Sequence, residues 1–461
     1  MSKQITRAVS LVVLGVAAVL GSTQAVAVDQ DLLKILRENG AITQKQFEQL
    51  TEKKVTSDAS VISAVKDTQY KISTGKKGIS IKSTDGAYAF AVGGRVQTDV
   101  NFFFPNSEAG NGMEARRVRL KGYGKLAHDW KYKAEIDFSE YSKIDLTDGW
   151  LAYTGFDNVT IKVGHQKVPF SFQSENSSNW QTFQERAQTD AFIDTPYLGR
   201  RRMGLTVAYD DDLFYGRAGA FAAGINEDGE FNQSFGTAAR GLVSLVNDKD
   251  QHFHVGGSVH YRDMDDNPGG EDADGNKLAS KDGVELRFKY HPEAHIGGTW
   301  IDSGSDLSED SILAANAEIA GYLGPLHGQA EFTTMNVERT GGLTDLNFYS
   351  YYAEVGYFLT GEHMNWKQSA GQWKRVKVGH EVGNGGIGAW EVAARYSYLD
   401  LSDGNFSTAG RANNWTAALN WWATNNVGLR LNYVFSDRDL VTDTLKDDFV
   451  HALTARAQVV F

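Results

Sequence analysis

The sequence predicts an all-β protein: a transmembrane antiparallel β-barrel with a short N-terminal helical segment. Three observations lead to this fold class. From about residue 79, apolar and polar residues alternate in segments of about 10–13 residues, which is the length of a tilted membrane-crossing strand. The connections between these segments alternate between short and long, and the chain ends in a strand that closes with Phe461. Soluble sheets also alternate, but their strands are usually about 5–6 residues long.

Composition excludes several classes of protein. The 461 residues contain no cysteine, so a disulfide framework, a Cys-ligated metal and a cysteine nucleophile are all excluded. There are 46 Lys and Arg against 58 Asp and Glu, and the resulting net charge of −12 argues against a nucleic-acid partner. Aromatic residues make up 11% of the chain, which argues against disorder.

Residues 1–27 are predicted to be an export signal. Lys3 and Arg7 precede an apolar stretch at 11–20, and Ala-Val-Ala at 25–27 is typical of a cleavage site. After residue 28 no apolar run reaches the ~18 residues that a membrane helix needs. We therefore expect an exported protein that crosses a membrane with strands.

Residues 28–75 are predicted to form a separate periplasmic segment. Apolar residues at helical spacing over 32–36 and 47–50 indicate two short amphipathic helices, which could self-associate or stay solvated. Thr43 and Gln46 form a capping box for the second helix. Residues 56–75 are rich in Ser, Thr, Lys and Asp and are predicted to be a linker, so the barrel is expected over 76–461.

Individual segments show the alternation clearly. In 88–102 and 252–262 apolar and polar residues occupy opposite faces, and 284–291 has the same pattern. About 18 strands can be counted, but the segments near 239–247 and 295–302 are weak, so 16 strands fit equally well. All six prolines fall in connections, where their missing N–H costs no ladder hydrogen bond.

Short sequence blocks from about residue 88 to 461 resemble the phosphate-selective porin O and P family. The resemblance implies a trimer of 16-stranded barrels in the outer membrane of a Gram-negative bacterium, passing small anions through a narrow, arginine-lined pore. It implies neither catalysis nor a cofactor. The blocks are AVGGRVQ at 91–97, RR at 116–117, DWKY at 129–132, YTGF at 153–156, SSNW at 177–180, ER at 185–186, LTGE at 359–362 and GAWE at 388–391.

The resemblance also implies site residues. Matching positions give basic pore-lining residues, hydroxyls and one acid near the constriction, with Arg186 in an inward-folded loop at 169–199. Strand parity independently places Arg117, Arg119 and Lys121 on one face, as a cationic row with a spacing of about 7 Å. Such a row could equally be solvated charge on a wet wall. The residues matched to the family are Arg95, Arg116, Arg117, Ser177, Ser178, Arg186 and Asp148.

The chain departs from the family at the constriction. Ser174, followed by Glu175, stands where phosphate-binding members have a central lysine. Arg119 and Lys167 occupy two tyrosine positions beside it, so cationic character could be redistributed. Phosphate is the expected anion, and a general porin or one for sulfate, organic anions or polyphosphate is the alternative.

Other classes are less well supported by the residues. His252, His254 and His260 share a strand face and could suggest a metal or an exported enzyme, but a wet barrel wall scatters such residues. In an adhesin or structural barrel with a plugged lumen, the arginine row would have no function. Residues 361–388 are long for a periplasmic turn, and we expect them to fold into the lumen and add a cationic mouth with Lys367, Lys374, Arg375 and Lys377.

Overall fold

The computed structural model divides the chain into two units, residues 1–69 and 70–461. Of the first unit it describes only Gln44, which is helical, so the predicted signal peptide and the rest of the helical segment lie outside the described residues. Among the described residues, no helix has the length and apolar character needed to cross a membrane. The described residues are 44, 70–75, 78–104, 110–140, 143–195, 198–222, 234–264, 286–304, 307–404, 409–440 and 449–461.

The described residues of the second unit form strands and very short helices. The strands are β1 (Tyr70–Gly75), β2 (Gly78–Ser83), β3 (Ala89–Phe104), β4 (Gly112–Leu126), β5 (Trp130–Asp137), β6 (Asp145–Phe156), β7 (Val159–Lys167), β8 (Arg201–Asp210), β9 (Phe214–Ala222), β10 (Phe235–Asn247), β11 (Gln251–Asp263), β12 (Lys289–Tyr290), β13 (Ile301–Asp302), β14 (Glu309–Leu323), β15 (Leu326–Arg339), β16 (Leu346–Phe358), β17 (Asn365–Lys367), β18 (Gln372–Lys374), β19 (Ala389–Asp400), β20 (Gly410–Trp422), β21 (Val427–Leu440) and β22 (Phe449–Val460). The helices are α1 (Phe172–Glu175) and the 3₁₀ helices Gln188–Phe192 and Gln368–Ala370.

Sixteen of the described strands close into an antiparallel barrel, which confirms the predicted fold class. They are β3–β11, β14–β16 and β19–β22, and each pairs with the next along the chain. The last strand pairs with the first, from His451 opposite Phe104 to Val460 opposite Arg95. Gly94 and Phe461 complete this seam with two backbone hydrogen bonds of 2.7 and 3.0 Å.

The two faces of the wall follow the predicted alternation. On β11, Phe253 and Val255 are 40% and 37% exposed, whereas His252 and His254 are buried. The outer face is therefore apolar and the inner face polar, as a barrel in lipid requires.

One predicted strand is wrong. Residues 284–291 lie in the long connection between β11 and β14, and in their described part only Lys289 and Tyr290 form a strand, the two-residue β12. Leu286, Phe288 and Tyr290 are buried inside the lumen instead of facing lipid. Alternation shows that one face is apolar but not what covers it, so this segment and the weak one near 295–302, where only the two-residue β13 forms, raised the strand count from 16 to 18. The weak segment at 239–247, by contrast, belongs to β10.

The predicted linker ends earlier than residue 75. Residues 70–75 form β1, which pairs along its whole length with β2. β2 in turn pairs with the first residues of β3, from Ile79 opposite Val92 to Lys82 opposite Ala89. The β1–β2 hairpin thus pairs with the part of β3 that precedes the residues paired with β22.

Two connections fold into the lumen. The first, here called the lumen loop, is residues 168–200 between β7 and β8 and contains α1. The second, here called the inner hairpin, is residues 364–378 and contains β17 and β18. Phe172 of the lumen loop packs with Trp366 and Trp373 of the inner hairpin in one buried apolar cluster.

Substituting Gly94 with alanine should weaken the seam. A Cβ at this position would lie 2.5 Å from the Arg119 carbonyl oxygen and 2.7 Å from the Phe461 ring. Such overpacking costs about 1–3 kcal/mol, so we expect a lower folded fraction in urea titrations and less of the fast-migrating folded band in unheated gels. Gly110→Ala is the matched control, since a Cβ there has nothing within 4 Å. Equal stability of both variants would contradict this account of the seam.

Candidate functional site

Strands β19–β22 hold one side of the lumen loop. Side chains of β20–β22 donate hydrogen bonds to its backbone carbonyls: Arg430 to Asn179 (2.9 Å), Asn420 to Thr182 (2.7 Å) and Arg456 to Gln184 (2.5 Å). Arg395 of β19 donates similarly to the Glu185 carbonyl at 3.0 Å. Because this side is filled, open space remains between the loop and strands β3–β9.

That space is a cavity of about 600 Å³ with a strongly basic wall. Among the described residues, thirteen Lys and Arg line it against four Asp and Glu. All the site residues named from the sequence are among the lining residues except Arg116. The basic residues are Arg95, Arg117, Arg119, Lys121, Lys131, Lys133, Lys162, Lys167, Arg186, Arg200, Arg201, Arg217 and Lys367, and the acids are Glu135, Asp148, Glu175 and Asp210.

Arg116 lies beside the cavity because of a β-bulge. The register of β3 and β4 shifts between Gln97 and Thr98, so Arg117 has a partner and Arg116 is the extra residue. Arg116 therefore points inward like its neighbour, and its Nε lies 2.9 Å from Glu185 Oε1. Arg117 approaches the same oxygen at 3.8 Å. Burial favours neutral Glu185, but the surrounding arginines outweigh it and hold the pKa of Glu185 well below its usual value.

Arg95 links the barrel wall to the hydroxyl position predicted at Ser178. Its Nη1 donates to Ser178 Oγ at 2.9 Å and to Asn179 Oδ1 at 2.8 Å, and its Nη2 lies 3.4 Å from Glu135 Oε1. Ser177 lines the cavity on the same loop segment. The arrangement brings guanidinium donors and hydroxyls together, groups that can form hydrogen bonds to an oxyanion.

Acids lie between the basic residues of the wall. Arg119 contacts Asp137 at 2.5 Å and Glu135 at 3.3 Å. Lys133 contacts Glu135 at 3.1 Å and Asp148 at 2.7 Å, and Arg201 reaches Asp148 at 3.4 Å. Glu135, Lys133 and Arg201 were not predicted as site residues, although Lys133 and Glu135 alternate in the sequence with the apolar Tyr132, Ala134 and Ile136.

Lys167 and Arg186 support the lumen loop. Lys167 Nζ donates to the carbonyls of Ser174 (2.6 Å), Glu175 (2.6 Å) and Asn176 (3.0 Å). Arg186 Nε donates to the Gln173 carbonyl at 3.0 Å. Burial and the nearby Arg200 lower the pKa of Arg186 to about 10, so it remains charged at neutral pH. Ser174 itself is buried in α1, so it does not line the cavity.

Basic residue types change along the cavity. Arg117, Arg119 and Lys121 follow one another on one face of β4, towards the end of the barrel where the short connections lie. Lys131 and Lys162 line the cavity near that end, just after the connections at 127–129 and 157–158. Arginines thus lie near the lumen loop together with Lys167, whereas Lys121, Lys131 and Lys162 lie towards the end with the short connections.

The inner hairpin folds into the lumen as expected. Trp366 stacks on His252 and His254 with ring centroids 4.1 and 4.7 Å apart, and Arg240 donates to the Gly371 carbonyl at 2.9 Å. The two histidines are therefore part of this packing. Within the described part of the chain, no three His, Cys, Asp or Glu residues are grouped as metal ligands.

The four basic residues of this segment have different positions. Lys367 lines the cavity, and Arg375 stacks on the Trp180 ring at 4.8 Å. Lys374 and Lys377 are exposed and are not among the lining residues. The predicted cationic mouth thus has one contributor from this segment in the cavity wall.

The sequence of this barrel matches the phosphate-selective porin O and P family over residues 90–461. The chain belongs to this family. Porin O of Pseudomonas aeruginosa is 27% identical to it over 418 residues, which are 84% of this chain and 91% of that protein. An uncharacterized protein of Caulobacter vibrioides is 30% identical over 370 residues, 77% of this chain and 70% of that protein. This porin is therefore a channel protein of the Gram-negative outer membrane.

Solved structures share the fold of this porin. The anion-selective porin from Comamonas acidovorans superposes with a TM-score of 0.51 at 11% identity, covering 81% of this chain and 100% of that chain. OmpT of Vibrio cholerae in its trimer form gives a TM-score of 0.50 at 11% identity, with the same coverage. At such low identity these likenesses show the barrel fold alone.

Neutralising Glu135 should strengthen anion preference. Glu135→Gln leaves Arg95, Arg119 and Lys133 without a shared counter-charge. One charge about 4 Å from a permeating ion changes its energy by about 1 kcal/mol in water, with opposite sign for chloride and potassium, so the permeability to each should change by up to about fivefold and their ratio should rise by up to about 25-fold at low salt. Reversal potentials in a KCl gradient measure this. Glu140→Gln, on an exposed connection, is the control and should leave the ratio unchanged.

Among the basic residues of 361–388, Lys367 should have the largest effect on conductance. Lys367→Gln removes a charge from the cavity wall and should lower single-channel conductance at low salt, with less effect at ~1 M KCl because screening is stronger there. Lys374→Gln and Lys377→Gln serve as matched controls outside the wall. Equal losses from all three variants would contradict the position assigned to Lys367.

Proposed function

We propose that this porin conducts small anions, chiefly phosphate, through the cavity between the lumen loop and strands β3–β9. The observation that carries the proposal is the excess of basic residues in the described cavity wall, thirteen against four acids, in a chain whose net charge is −12. The potential within the lumen, and not the total charge, decides which ions enter.

The chemistry of the wall suits oxyanions. An anion that enters a constriction loses hydration and needs fixed donors in exchange. Arginine provides two parallel donors that match an oxyanion, and Arg95 with Ser178 adds a hydroxyl. Arg117, Arg119 and Lys121 then offer successive sites about 7 Å apart, so that an anion can leave each one for the next.

Interleaved acids keep this pathway from binding too tightly. Glu135 and Asp148 share the partner Lys133 on the wall, and Glu175 pairs with Arg217 at 3.2 Å. Each acid lowers the local positive potential. Weak sites in series favour conduction over retention.

A broader anion porin is the second candidate. Ser174 replaces the basic residue that phosphate-binding members have at this position, and the Lys167 ammonium is taken up by three carbonyls. This porin would then pass sulfate or organic anions as well as phosphate. The relative named Porin O and the family description favour phosphate.

We also propose a homotrimer in the outer membrane. The support is the family resemblance and the trimer form of OmpT from Vibrio cholerae, which has the same fold. Cross-linking of the detergent-extracted porin tests this proposal, and a band of three chains is expected.

The decisive experiment is the reversal potential of the purified porin in a planar bilayer under a KCl gradient, followed by phosphate titration. We expect chloride preference and block by millimolar phosphate, and Arg95→Gln and Arg119→Gln should each reduce both. Arg411→Gln, an exposed residue paired with Asp439 at 3.6 Å, is the control. Chloride preference without block would favour the broader porin, and cation preference would contradict the proposal.

A further inference from the structure

The short helix of the lumen loop is held at its start by a buried carboxylate. Glu331, on the inner face of β15, is 3% exposed and accepts hydrogen bonds from three consecutive loop residues. Ser171 Oγ lies 3.1 Å from both carboxylate oxygens, the Phe172 amide donates to Oε1, and the Gln173 amide donates to Oε2 at 3.3 Å.

The end of the same helix is held by a buried ammonium. Lys167, the last residue of β7, donates to the carbonyls of Ser174, Glu175 and Asn176 at 2.6 to 3.0 Å. Counting along the paired strands, β15 is the sixth strand after β7, so the two contacts come from well-separated parts of the wall. Donors face the carboxylate and acceptors face the ammonium, so exchanging the two charges would leave both unsatisfied.

We propose that Glu331 and Lys167 are positioning residues that together clamp the lumen loop across the barrel and thereby set the width of the channel. Lys167 then acts as part of the clamp and not as an anion ligand, although it borders the cavity. The inference rests on the proposed function only in taking the cavity of β3–β9 as the ion pathway.

The clamp affects the constriction through the residues that follow it. Ser177, Ser178 and Asn179 continue directly from the clamped turn, and Arg95 bonds the last two. Moving α1 would move these groups relative to the arginines of β3 and β4. Glu331 thus influences a cavity that it does not itself line.

The clamp is testable with a cysteine reporter, because the natural chain has no cysteine. Ser174 is 1% exposed in α1, so Ser174→Cys should react slowly with a water-soluble thiol reagent when the loop is in place. Adding Glu331→Gln should speed labelling by about tenfold, since hydrogen bonds to a charged group contribute of this order. The single-channel current should also become noisier. Glu338→Gln, on the same strand and bonded to Ser311 at 2.9 Å, is the matched control and should change neither.

The Lys167→Met variant distinguishes a role of Lys167 in the clamp from a role in anion binding. The clamp predicts faster labelling of the cysteine introduced at position 174 and noisier current. Reduced anion permeability with unchanged labelling and noise would identify Lys167 as an anion ligand and overturn the proposal. If Glu331→Gln fails to assemble, Lys167→Met still tests the clamp. Labelling does not depend on which ion the wild-type channel prefers, so it tests the clamp independently of the proposed function.

A reversible disulfide between the lumen loop and the barrel wall should reverse the effect of Glu331→Gln. The Ser171 amide donates to Ser258 Oγ of β11 at 3.0 Å, so cysteines at 171 and 258 would tie the loop to the wall. In the Glu331→Gln background this disulfide should restore quiet current when oxidised, and reduction should remove the effect. Noise that is the same in both redox states would contradict the clamp.

Discussion

The requirement that every backbone N–H and C=O be hydrogen-bonded within the membrane determines most of this structure. A sheet meets it only by closing on itself, and here the closing ladder joins β22 to β3 from His451 to Val460. Closure at sixteen strands leaves a lumen wider than the barrel's own inward side chains can fill. The other features of the structure are the segments that fill part of the lumen and the side chains that line the space that remains.

The lumen loop fills one side of the lumen more than the other, so arginines of the inner wall have two different roles. Arg430 and Arg456 donate to carbonyls of the lumen loop and hold it to one side. Arg95, Arg117 and Arg119 lie on the other side and border the cavity. The same residue type thus holds the loop at some positions and borders the cavity at others, and Arg186 does both.

Under the proposed function the channel attracts anions and must also release them, and the acids of the wall partly compensate its basic residues. Glu135 and Asp148 each have more than one basic partner, so the wall keeps an excess of positive charge without a deep trap. These groups are held by hydrogen bonds within the wall, so few need to reorganise when an ion passes. In the clamp that we propose, Glu331 and Lys167 keep the loop and this arrangement in place.

Local sequence pattern is enough to specify the fold class, the sidedness of the strands and some of the lining residues, whereas contacts between distant segments decide the rest. Strand parity has a period of two whatever the surroundings, so the alternation alone assigns Arg117, Arg119 and Lys121 to one inner face. The resemblance to the porin family added Ser177 and Arg186, which the described cavity wall contains.

The features that the pattern could not predict each arise where separate segments meet. They are the bulge that turns Arg116 inward, the burial of 286–290 within the lumen and the three carbonyls around Lys167. Alternation reports that a segment has two faces, but whether lipid, water or another loop covers the apolar one is a property of the closed barrel. For the same reason Glu331, in a strand otherwise like its neighbours, showed no sign in the sequence of its contact with the lumen loop.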